Sequence, residues 1–173
     1  MFGLEQHEAV LSNLNLRKEK HGEDKVPAAD MTFAVQAQNL ILDTIDPAIR
    51  PAFFRKAKKG EQQNLPIDGN DLVALNLPML AKQKIDLKIG GYELRIDSLL
   101  GHIEPLFFAD CKLKSLTWEA IEGGSVAIAL TVQSTLEDED AAPLLAAWSR
   151  GEVTVTLVPP KPIEAQKDLA DAA

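Results

Sequence analysis

Two stretches of alternating apolar and polar residues are each interrupted by a Gly-Gly pair: KIDLKIGGYELRID at residues 84–97 and SLTWEAIEGGSVAIALTVQ at residues 115–133. Alternation at a period of two puts one face of a strand in a core, and a tight turn between two such runs forces antiparallel pairing. In the first stretch, a two-residue turn at Gly90-Gly91 sets Ile89 against Tyr92, Leu87 against Leu94 and Ile85 against Ile96 on one face. The other face then pairs Lys88 with Glu93, Asp86 with Arg95 and Lys84 with Asp97, all oppositely charged. A phosphate-cradling glycine loop is the competing reading, but it needs further glycines and a following helix. In the second stretch a two-residue turn would oppose Trp118 to Ala129 and Glu119 to Ile128. A three-residue turn over Glu122, Gly123 and Gly124 instead aligns Ala120 with Val126, Trp118 with Ile128 and Leu116 with Leu130. Glu119 with Ala127, Thr117 with Ala129 and Ser115 with Thr131 then form the outer face.

The rest of the chain fits around these pairs. Residues 1–16 carry Leu4, Val10, Leu11, Leu14 and Leu16 and suit a short helix or an irregular arm; residues 17–25 suit a solvated turn around Gly22. Met31, Phe33, Val35 and Ala37 alternate as a strand. Asp46-Pro47 starts a helix that Pro51 distorts and that runs to about Ala57, closed near Gly60. A loop over 60–71 and an extended segment over 71–78 follow. Residues 137–151 form a helix, with acids at its start, Arg150 at its end and Gly151 beyond, and 152–160 a last strand. Residues 161–173 are a polar tail expected to be mobile, which leaves 1–160 as a single globular domain. The expected class is α+β: mostly antiparallel β, as a sandwich or partly open barrel of about six or seven strands, with two or three short helices.

The 173 residues suffice for one real core, and 46% apolar with 25% charged residues is an ordinary soluble composition. A net charge of −8 argues against a general nucleic-acid binder. Cys111 is the only cysteine, so no intrachain disulfide forms and a reducing cytoplasm suits the chain. The N-terminus lacks the basic and apolar regions of a signal peptide, and no apolar run approaches the roughly 20 residues that span a bilayer.

Candidate chemistry is sparse. His7, His21 and His102 have no partner at ligand spacing, so no metal or other cofactor is expected. Cys111, in a strand-like run, reads as a buried hydrophobe, and there is no G-x-S-x-G elbow. No nucleophile, base and stabiliser occur together, and a catalytic residue is assigned to no position. Arg50, Arg55, Lys56, Lys58 and Lys59 surround Phe53 and Phe54. As a helix end, the phenylalanines enter the core and the cations face the negative helix terminus; as a site, they hold single-stranded nucleic acid or another anionic partner. Glu137, Asp138, Glu139 and Asp140 form an acidic run that either begins a helix or presents an acidic interaction surface.

At NLRKEKHGEDKVPAADMTF, at EGGSVAIALTVQ and at VTLVPP the chain resembles an uncharacterised family of bacteriophage and prophage proteins, over most of residues 12–160. The resemblance implies a phage-encoded protein that works in a bacterial cytoplasm by binding. The expected function is a non-enzymatic accessory protein with a protein partner, as a modulator or inhibitor of host defence or of nucleic-acid-processing machinery. The alternatives are a single-stranded DNA-binding or recombination accessory protein using Arg50–Lys59, and a structural virion component that forms a homo-oligomer. No membrane partner is expected.

Overall fold

The computed structural model of the chain describes residues 1–21, 24–58, 61, 70–80, 82–98 and 104–161. Six long strands carry the alternating runs: β1 (Leu4–His21), β2 (Asp24–Gln38), β5 (Gln83–Ser98), β6 (Leu106–Ile121), β7 (Ser125–Thr135) and β8 (Glu152–Val158). They close into a barrel in the order β1-β2-β7-β6-β5-β8, with β8 returning to β1 and every neighbouring pair antiparallel. Two short strands, β3 (Phe54–Lys56) and β4 (Leu72–Leu75), pair separately. A 3₁₀ helix spans Asn39–Thr44, and the α-helices are α1 (Ile49–Phe53) and α2 (Ala141–Arg150).

Closure leaves no free edge among the barrel strands, which removes the pairing liability of an open sheet. Register then decides what fills the interior. Leu11, Phe33, Leu130 and Leu116 stand opposite one another on β1, β2, β7 and β6, all at 1% exposure or less. Ala9, Val35, Ile128 and Trp118 make the next layer on the same strands. Met31, Val132 and Leu113 make another. Side chains from all six strands join one core, so the interior is filled rather than hollow.

The alternating strand directions also sort the connections. The ends of β2 and β6 and the start of β5 lie at one end of the barrel. The described elements between β2 and β5 therefore gather there: the 3₁₀ helix, α1, β3 and β4. Leu42 and Phe54 from this segment are buried in the core. At the other end α2 links β7 to β8 and buries Leu144 and Ala147. Gly151, at φ 81°, stops α2 and accepts a 2.7 Å hydrogen bond from the Leu11 N–H.

The α+β class with mostly antiparallel pairing holds, but the barrel is closed, not partly open or a sandwich, and the described residues form eight strands. The β6–β7 hairpin has the register expected from its three-residue turn, Trp118 opposite Ile128 included, and Gly123 and Gly124 sit at φ 96° and 84°. The Gly90-Gly91 hairpin does not form. Both glycines lie inside the single strand β5, whose neighbours are β6 and β8, so Ile85 meets Leu116 and Leu94 meets Phe108 and Leu157. The glycines serve bulges instead. The register with β6 shifts on both sides of Ile89 and again after Tyr92; Lys88 has φ 54° and Gly91 φ 80°. A Cβ on Gly91 would sit 3.2 Å from Pro160, a close approach that favours glycine. The charged residues pair along the strand rather than across a hairpin, Lys84 with Asp86 and Arg95 with Asp97.

Residues 1–16 are neither helix nor arm; from Leu4 they belong to β1. Most of the charge run at 17–25 lies in β1 and β2, which pair as far as His21 opposite Asp24; the turn expected around Gly22 falls outside the described residues. Arg17 pairs with Glu19 and Asp30, Lys114 reaches both Asp30 oxygens at 3.2 Å, and Gln133 donates to Glu19 at 2.7 Å. The Asp46–Ala57 helix shrinks to α1. Asp46 Oδ1 accepts from the Ala48 N–H at 2.7 Å, but the chain is extended again from Phe54. The strands over 31–37, 71–78 and 152–160 and the helix over 137–151 are found as β2, β4, β8 and α2. Gly22, Lys59, Gly60, His102, most of the 60–71 loop and the tail from residue 162 lie outside the described residues. No helix among the described residues is long and apolar enough to cross a membrane.

Candidate functional site

Gln38 ends β2 opposite Ser125 at the β6–β7 turn, and the chain crosses the barrel end from there. Asn39 and Asn70 fix that crossing. The Asn39 N–H donates to Gly124 O at 2.9 Å, and its amide donates to Leu72 O at 2.7 Å. The Asn70 amide donates to Asn39 Oδ1 at 2.6 Å and its oxygen accepts from the Leu72 N–H at 3.2 Å. Both asparagines are buried. This staple holds β4 against the β6–β7 turn, where the Gly123 N–H donates to Val73 O at 2.9 Å and Glu122 Oε2 accepts from the Leu75 N–H at 3.3 Å.

A cleft of about 430 Å³ opens between these elements, lined by Arg55, Glu61, Val73, Leu75, Pro78, Glu122 and Gly123. That volume falls in the range of small-ligand and side-chain pockets. Arg55 and Glu61 form a bidentate pair, Nη1 to Oε2 at 2.8 Å and Nη2 to Oε1 at 2.9 Å. The Lys58 N–H donates to the same Oε2 at 2.7 Å. These hydrogen bonds, the one from Arg55 foremost, push the Glu61 carboxyl from its ordinary 4.5 down to about 2. Because the folded value is depressed, whatever the pair contributes is whole above about pH 4.5 and is lost as pH falls through about 2. A carboxyl-carbon NMR titration is expected to put the Glu61 midpoint near 2, and to return it toward 4.5 in Arg55→Gln. A midpoint near 4.5 in the wild type would mean that the bidentate pair does not form in solution.

On either side of Pro78 the apolar side chains of Leu77, Met79 and Leu80 face water, at 46%, 94% and 46% exposure. The turn is closed by the Leu80 N–H on Leu77 O at 3.0 Å. Apart from the neighbouring Arg55, sequence reasoning missed this site. Its signal was the run NLPML, in which a proline stops β4 and strands three bulky apolar residues in a turn.

Three cations of the basic run are ion-paired, and Lys59 lies outside the described residues. Arg50 is paired with Asp43 at 2.9 Å, Arg55 with Glu61, and Lys56 with Asp71. Lys58 enters the site through its backbone N–H. Phe54 is 1% exposed, and Phe53 packs edge-on against Trp118 with ring centroids 6.2 Å apart. The acidic run Glu137, Asp138, Glu139 and Asp140 precedes α2 at the surface. Asp140 Oδ2 accepts from the Glu137 N–H at 2.8 Å, closing a turn, and makes no side-chain cap to α2. Cys111 is fully buried; burial pushes its thiol up, and its Sγ sits 3.4 Å from Phe108 O. His7 Nδ1 lies 3.0 Å from Glu5 O on β1, and among the described residues no three His, Cys, Asp or Glu groups converge as a metal site.

Fold and site together define a filled antiparallel barrel with an ion-paired cleft and an apolar turn at one end. No family model, curated protein or solved structure matches the chain.

Proposed function

We propose that this chain is a non-enzymatic accessory protein that acts by docking onto another protein through the Leu77–Leu80 turn. The exposure of that turn carries the reading: three large apolar side chains stand in water within four residues, on a segment anchored by a buried polar staple. Clustered apolar exposure rimmed by charge marks interaction surfaces, and methionine adapts to such contacts. The filled interior supports the same reading, because it leaves chemistry to the outer surface. The resemblance to phage and prophage proteins favours a partner in a host-defence or nucleic-acid-processing complex of the bacterial cytoplasm. The pairing of Arg50, Arg55 and Lys56 with carboxylates weighs against phosphate contact as the main activity.

The test is quantitative crosslinking and capture from bacterial host lysate, comparing wild type with the Leu77→Ser, Met79→Ser double variant. Both positions are exposed, so the variant is expected to keep its fold, checked by circular dichroism. One protein recovered in proportion to the wild type and lost with the variant supports docking through the turn. Equal recovery by both would overturn it. A discrete homo-oligomer that the double variant dissolves would favour the virion component instead.

A further inference from the structure

The cleft beside this turn carries more carboxylate than cation and keeps an acceptor open. Arg55 Nη1 is used on Glu61 Oε2 and on Lys56 O at 3.1 Å, and Nη2 on Glu61 Oε1. The Leu75 N–H goes to Glu122 and the Gly123 N–H to Val73 O. Of the two carboxylates, Glu61 is fully engaged. Glu122 is exposed and accepts only the 3.3 Å bond among the described residues, on one of its two oxygens. Two carboxylates against one guanidinium leave the lining with one net negative charge. A phosphate or carboxylate ligand would therefore meet a like charge. The opposite wall is Val73, Leu75 and Pro78, apolar and at the rim of the exposed turn.

We propose that the cleft receives a lysine or arginine side chain from a basic, partly apolar segment of the partner protein, an assignment that rests on the docking reading above. Such a side chain brings donors and no acceptor. Its methylene stem lies along Val73, Leu75 and Pro78 while its charged head meets the open Glu122 oxygen, and the neighbouring apolar residues of the segment cover Leu77, Met79 and Leu80. The −8 net charge speeds the approach of a basic segment, and Glu122 selects where it seats.

The probe is a fluorescein-labelled heptapeptide, Gly-Leu-Lys-Gly-Leu-Lys-Gly, followed by fluorescence anisotropy at about 20 mM and about 150 mM salt. Its counterpart carries glutamate in place of lysine. Glu122→Gln keeps an acceptor for the Leu75 N–H and removes the charge. It is expected to weaken binding of the basic peptide about tenfold. Glu139→Gln removes the same charge from the acidic run before α2 and is expected to change it by less than about twofold. The proposal falls if Glu122→Gln binds as wild type does, if Glu139→Gln weakens binding equally, if the glutamate peptide binds as well, or if the basic peptide does not bind at low salt. A captured partner retained by Glu122→Gln but lost with the Leu77 and Met79 changes would remove the cleft's role and leave docking through the turn intact.

Discussion

Phe33→Ala is expected to lower the free energy of unfolding by about 3–5 kcal/mol. Phe33 is fully buried and lies between Leu11 and Leu130 in the layer that also holds Leu116. A closed barrel has fixed strand spacing, so the layer collapses little around a missing ring. The loss then includes the cavity as well as the transfer of the side chain from water. Phe107→Ala is the matched control. Phe107 is 61% exposed on β6, and its truncation is expected to stay within about 0.5 kcal/mol. Urea denaturation of both variants should show a shifted midpoint for Phe33→Ala with an unchanged slope. Equal, small losses would show that the interior is not packed in the register described.

The contrast between these two phenylalanines was only partly legible in the sequence. Phe33 sits in a clean alternation with Met31 and Val35, and β2 follows it. The β6–β7 hairpin was legible for the same reason: its turn is local, and only one loop length aligns the apolar faces. The β5 glycines misled because a hairpin turn and a strand bulge ask the same thing of glycine, a positive φ. The inward face of that stretch was right and its partners were wrong. β1 was hidden by its own irregularities. Shifts between Leu4 and His7 and between Leu11 and Asn13 break the period of two, so Val10, Leu11 and Leu14 imitate helical spacing. β6 shifts register between Leu113 and Ser115, spacing its buried Leu113 and Leu116 three apart. Closure of β1 on β8 joins residues about as far apart as the chain allows, and no local pattern announces it. The site fared worse, because it is made by partners and not by a motif. The basic run was visible, whereas its neutralisation by Asp43, Glu61 and Asp71 depends on a crossing that only the fold supplies.

Asn39→Ala tests that crossing, with an expected loss of about 2–4 kcal/mol. The substitution orphans two groups in a dry place, the Leu72 carbonyl and the Asn70 amide N–H, and each costs about 1–3 kcal/mol when left without a partner. The backbone bond from Asn39 to Gly124 survives, so the defect should concentrate at β4. Because Asn70 loses its partner in the single variant, Asn39→Ala with Asn70→Ala is expected to cost at least about 1 kcal/mol less than the sum of the two single changes. The Leu72 N–H, which Asn70 alone serves, keeps the double variant from returning to wild-type stability. Hydrogen exchange supplies the local readout. The Gly123 and Leu75 amides, which face the cleft through Val73 O and Glu122, should lose protection in Asn39→Ala before amides of the β2–β7 ladder do. If Asn39→Ala is neutral, or if all amides weaken together, the asparagines do not hold the cleft in shape, and its walls must be set by the barrel alone.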